Sequence, residues 1–98
     1  MEKQKPHYSL SIIKSMIKEG RVRSTVSALT GGAALGLDFA EIVTIVGKLK
    51  TTDFYKSMTT HINHRVWQDV YRPTIHTRQI YLKLTVTDDV LIVSFKEL

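Results

Sequence analysis

A chain of 98 residues with 43% hydrophobic content has material for one small core, because a domain of this size leaves roughly a third of its unfolded surface exposed, and that excludes several separate sites. Fourteen Lys and Arg against nine Asp and Glu give a formal charge of +5, which favours a polyanionic partner such as nucleic acid. Cysteine is absent, which excludes disulfides and thiolate zinc sites; the opening MEKQKPHYSL lacks a signal-peptide apolar stretch and no run approaches the ~20 apolar residues of a membrane span, so the expectation is a soluble, unprocessed cytoplasmic chain with one domain over 1–98.

Helices are expected first. Leu10, Ile13, Met16 and Ile17 recur at helical spacing behind Ser9 as a cap, with Gly20 as a stop, which predicts a helix from about Ser9 to Glu19. RVRST reads as a short extended piece, and Ser24 is the expected cap of a second helix that Gly31 and Gly32 end. Asp38 and Glu41 have capping-box spacing, so a third helix starts there with Phe39, Ile42, Val43, Val46 and Leu49 as its buried stripe. Lys48 and Lys50 suit the negative end of its dipole.

After Asp53 the period becomes alternating. FYKSMTT, RVWQDVY, QIYLKLTV and VLIVSFK read as four strands rich in β-branched and aromatic residues. The connections HINH, RPTIHTR and TDD are short, which implies an antiparallel meander, and helices gathered ahead of one sheet imply an α+β domain with the helices on one face of a twisted antiparallel sheet.

The alternation sorts the side chains by face. Ile80, Leu82, Leu84 and Val86 share the core face, which sends Gln79, Tyr81, Lys83 and Thr85 outward; in the last strand Leu91, Val93 and Phe95 are expected inward, with Ser94 and Lys96 outward. Lys56 and Gln68 are kept from the core by the same open face, where Phe54 and Met58 would accompany Lys56. Polar residues on an open antiparallel face are ordinary. The mixture of Lys56, Gln68, Tyr81 and Lys96 goes further, since it combines lysines, an amide and a phenol with no carboxylate clearly among them.

Such a set suits RNA. A ribose 2′-hydroxyl attacking its own phosphate needs a base, an acid for the leaving 5′-oxygen and cations for the charge on phosphorus, with no metal or other cofactor. Neighbouring cations can lower a lysine pKa toward use as a base, and a nearby tyrosine can relay a proton. Other constellations are poorer. His61 and His64 have metal-pair spacing but no third ligand nearby; Asp88 and Asp89 read first as turn residues; GGAALG lacks the lysine of a phosphate loop. Trp67 and Tyr71 fall opposite Gln68 and read as core. Lys14, Lys18, Arg21 and Arg23 form either an outer track for phosphates or a solvated helix edge.

DFYKSMTT, WQDVYRP and YLKLTVTDDVLIVSFKE closely resemble the MqsR family of bacterial toxins, as do the openings MEK and PH and the central LGLDF, and the resemblance runs end to end. It implies a RelE-like fold and an mRNA interferase, a metal-independent endoribonuclease that cuts mRNA at GC-containing triplets such as GCU and halts growth until its antitoxin MqsA neutralises it. MqsA is expected to combine a zinc-binding N-terminal domain that holds the toxin with a helix-turn-helix that binds operator DNA, so zinc and DNA recognition would belong to the partner. An exposed edge strand is a plausible docking point.

The family's implicated positions match Lys56, Gln68, Tyr81 and Lys96. On these positions we expect Lys56 to act as base or phosphate-stabilising cation, Tyr81 as proton donor or relay and Gln68 as an orienting group, with Lys96, Arg72 and Lys83 contacting RNA. Some relatives carry His where this chain has Asp88, so a histidine acid is impossible there. Two other classes stand beside this one: a non-catalytic RNA-binding module using the same basic face, and a protein-binding partner whose positive face meets an acidic surface.

Overall fold

The computed structural model describes residues 1–98. In chain order the elements are β1 (Glu2–Lys3), α1 (Leu10–Lys18), β2 (Val22–Ser24), α2 (Val26–Ala34), α3 (Phe39–Gly47), a 3-10 turn (Thr51–Asp53), β3 (Phe54–Thr59), β4 (Trp67–Tyr71), β5 (Thr74–Ile75), β6 (Arg78–Val86) and β7 (Val90–Glu97). The sheet order is β1-β3-β4-β6-β7-β2, with β5 folded back onto β6. The four long strands form the expected antiparallel meander, and the fold is α+β. The edges were not legible: β2 runs parallel to β7 and β1 pairs antiparallel with β3, because two- and three-residue strands are too short to show a period.

Helix α3 starts as its sequence predicts. The Asp38 carboxylate accepts from Glu41 N and the Glu41 carboxylate accepts from Asp38 N. Ile42, Val46 and Leu49 are buried, whereas Phe39 is 39% exposed. The cap of α2 is Thr25 rather than Ser24: its hydroxyl accepts from Ala28 N at 3.1 Å and donates to Val93 O at 2.8 Å, tying the helix to β7. Ser9 does occupy the N-cap position of α1, but its hydroxyl bonds Ser11 instead of the helix backbone.

Gly31 and Gly32 do not end α2, which continues to Ala34. They are contact points. A Cβ on Gly31 would run into the Phe95 carbonyl, and one on Gly32 into the Ile42 side chain, so these glycines let α2 lie directly on β7 and α3. Gly36, at φ +76, makes the turn that follows.

One hydrophobic cluster lies between the helices and the sheet, including Ile13, Ile42, Val46, Leu82, Ile92 and Phe95. Two bulges set which strand residues enter it. Opposite β6, Lys83 pairs with Ser94 while Leu84 pairs with Ile92, so Val93 is an extra residue. The phase of β7 therefore reverses there: Val90 and Ile92 point inward together with Phe95, and not Leu91 and Val93 as alternation predicts. In β3, Phe54 pairs with Tyr71 and Lys56 with Val70, leaving Tyr55 extra. Phe54 consequently joins the core, edge-on to Tyr71 at 5.5 Å between ring centroids, and does not accompany Lys56.

Candidate active site

Directly opposed residues of neighbouring strands share a face, as do alternate residues of one strand. Lys56 lies opposite Val70 and Met58 opposite Gln68; Val70 lies opposite Lys83, and Tyr81 opposite Lys96. These pairings bring Lys56, Gln68, Tyr81, Lys83 and Lys96 to the sheet face away from the helices. Val70 is their floor, fully buried yet outside the helix-side core. The Lys96 ammonium sits 5.4 Å from the Tyr81 ring centroid. Arg72, just past β4, is anchored by its own N–H to Asp53 O at 2.7 Å, and its guanidinium lies 3.6 Å from the centroid of Tyr55.

The lysines differ in electrostatic setting. Lys56 Nζ is 2.9 Å from the Glu2 carboxylate. That hydrogen-bonded ion pair raises its pKa, with smaller help from the nearby phenols of Tyr55 and Tyr81. Lys83 moves the other way: burial, then the charge of Lys96, lowers its pKa. In the free protein Lys56 is thus held in its charged form, and Lys83 is the lysine whose proton is loosened. The sheet face does include a carboxylate, contributed by a residue 54 positions away in the chain from Lys56; the two-residue strand carrying Glu2 offers no pattern from which to find it.

Asp69 anchors that N-terminal segment and was also missed. It is fully buried on β4 and accepts from Ser57 Oγ at 2.6 Å, His7 N at 3.1 Å and Tyr8 N at 2.9 Å. His7 then stacks on Trp67 with centroids 5.2 Å apart, and Lys3 Nζ lies 4.1 Å from the Trp67 ring centroid. Burial followed by Lys3 lowers the His7 pKa. Trp67 is thereby covered by the chain's own N-terminal residues, while Tyr71 is core as expected.

The remaining candidates stay apart from this face. Arg21 and Arg23 both pair with Asp89, and Arg21 also reaches the Asp88 carbonyl, so these groups lock β2 to the β6–β7 turn rather than forming a free phosphate track. His61 and His64 lie in the exposed β3–β4 loop. The largest groove, about 390 Å³, is lined by residues such as Leu35, Leu37, Ile75 and Ile80 and contains none of the site lysines. A shallow basic face suits an extended polymer better than a small molecule, which requires a cavity.

A basic, phenol-bearing face on the open sheet of a small α+β domain suits an extended polyanion, and comparison with known proteins makes the class specific. Residues 5–97 match the family described as motility quorum-sensing regulator, toxin of MqsA. The chain belongs to this family of toxins. It is 55% identical over 97 residues to the mRNA interferase toxin MqsR of Escherichia coli (strain K12), covering 99% of each chain.

Proposed function

We propose that the open sheet face cleaves mRNA by directing a nucleotide's 2′-hydroxyl at the adjacent phosphate, without a resident metal and selectively at GC-containing triplets such as GCU. Family membership makes the chain the toxin of a toxin–antitoxin pair and an endoribonuclease. In the reaction the 2′-oxygen bonds to phosphorus as its proton departs, and the bond from phosphorus to the 5′-oxygen breaks. The products are a 2′,3′-cyclic phosphate and a 5′-hydroxyl that has gained a proton.

The opposite settings of the two lysines support a division of roles. A base must be able to lose its proton first, which favours Lys83 as acceptor of the 2′-hydroxyl proton. Lys56, held charged by Glu2, serves as the cation that meets the phosphate when the phosphate oxygens displace Glu2. Lys96 and Arg72 add positive charge, Tyr81 delivers a proton to the leaving oxygen, and Gln68 orients the phosphate. The observation that carries this reading is the strand register, which gathers Lys56, Gln68, Tyr81, Lys83 and Lys96 on one face.

The triplet preference, the cytoplasmic setting and the partner's architecture rest on family likeness. That partner is MqsA, with a zinc-binding N-terminal domain that holds the toxin and a helix-turn-helix that carries operator-DNA recognition. The test is cleavage of a defined mRNA by purified protein in excess EDTA, with ends mapped by primer extension and Lys56→Ala alongside. Cuts at one short sequence that persist with chelator and disappear in the variant are expected; cutting abolished by EDTA, or surviving the substitution, overturns the proposal.

A further inference from the structure

The bulge in β3 has a second effect: as it turns Phe54 into the core it leaves Tyr55 outward, 40% exposed, beside Lys56. No other large apolar or aromatic side chain within a strand is so exposed. Its ring is braced by Arg72, whose guanidinium carbon is 3.6 Å from the ring centroid, and Lys56 Nζ lies 5.5 Å from the same centroid. Arg72 Nε is buried without a hydrogen-bond partner, so ring stacking takes the place of a directional bond in orienting the guanidinium. A rigid aromatic ring thus stands next to the cation assigned to the phosphate, and its exposed surface has no partner within the fold.

We propose that Tyr55, braced by Arg72, is a stacking platform for the nucleobase of a nucleotide adjoining the phosphate held by Lys56. The inference rests on the RNA-cleaving reading of this face and adds a base-binding subsite to it. A nucleobase fits the surroundings better than an apolar protein side chain, because the ring is flanked by two cations that also attract the phosphate backbone of the same nucleotide. Stacking accepts every base through its π-face. The platform therefore contributes affinity and register along the strand, while the choice of triplet is made by hydrogen-bonding groups elsewhere.

The test uses an RNA oligonucleotide made uncleavable by a 2′-deoxy sugar at the attacking position, with 2-aminopurine placed in turn at each nucleotide flanking the cut. Stacking on Tyr55 quenches the probe at one position. Tyr55→Leu removes that quenching and weakens binding about 5- to 150-fold, the range for loss of one stacked base, while Tyr55→Phe, which keeps the ring, recovers most of the loss. On cleavable RNA with an abasic residue at that position, Tyr55→Leu brings no further fall in kcat/KM. Equal quenching in wild type and Tyr55→Leu, Tyr55→Phe as weak as Tyr55→Leu, or an undiminished penalty on abasic RNA would each overturn the platform. Quenching with no cleavage of the all-ribose RNA would refute the nuclease chemistry and leave the platform standing.

Discussion

Gly31→Ala sets two physical effects against each other. By helix propensity alone, alanine inside α2 should stabilise the protein by up to ~1 kcal/mol, because glycine loses more backbone freedom on folding. Contact with β7 opposes this. The new Cβ would lie well inside the 3.0 Å that real Cβ contacts keep from other atoms, and it would meet the Phe95 carbonyl with Lys96 Cα only 3.6 Å away. A backbone carbonyl within a paired strand cannot rotate aside as a side chain can, so helix and strand must separate across a close-packed interface. Overpacking costs typically ~1–3 kcal/mol, and an obstacle made of backbone places this site at the upper end. The net expectation is a loss of about 2 kcal/mol, or a melting midpoint lower by roughly 8–16 °C for a domain of this size. Urea unfolding and calorimetry measure it directly, with Gly47→Ala as the control, since nothing lies within 4 Å of a Cβ there and that variant should be neutral or more stable. Because Lys96 follows the displaced carbonyl, Gly31→Ala should also slow cleavage at temperatures where it remains folded. A Gly31→Ala protein as stable as wild type would refute the close approach of α2 to β7.

Lys83 carries a pKa lowered by burial and by Lys96. In the folded chain the charged form of Lys83 is held against burial and then a like charge, a penalty the unfolded chain does not carry. The penalty is present below the folded-state pKa and is relieved as pH rises through that value toward the unfolded value near 10.5. Lys83→Met should therefore stabilise the protein at neutral pH by about 0.5–1 kcal/mol in urea titrations, an advantage that shrinks in alkali, while cleavage falls about 10²–10⁴-fold; a variant as active as wild type would remove Lys83 from the chemistry. Asp69→Ala deletes the acceptor shared by Ser57, His7 and Tyr8. It should cost about 3–5 kcal/mol and speed amide hydrogen exchange at His7 and Tyr8 above the rest of the chain. Exchange unchanged at those two amides would show that Asp69 does not tether the N-terminal segment.

Much of this molecule was legible from residues close together in the chain. The capping box of Asp38 and Glu41 and the four long strands follow from patterns of neighbouring residues, as does the alternation that turns Tyr81 and Lys83 away from Leu82 and Leu84. What escaped depends on partners distant in the chain. The bulges at Tyr55 and Val93 exist only relative to the strands beside them, so alternation placed Phe54 with Lys56 and reversed the first half of β7. Gly31 and Gly32 read as helix stops until β7 and α3 were found pressed against them. The opposite electrostatic settings of Lys56 and Lys83 were hidden for the same reason: ammonium groups similar in water are separated by burial and by which charge lies nearest, and Glu2 reaches Lys56 only because β1 joins the edge of β3. Periodicity is a property of consecutive residues, whereas register, burial and field at a charged group are properties of the assembled sheet.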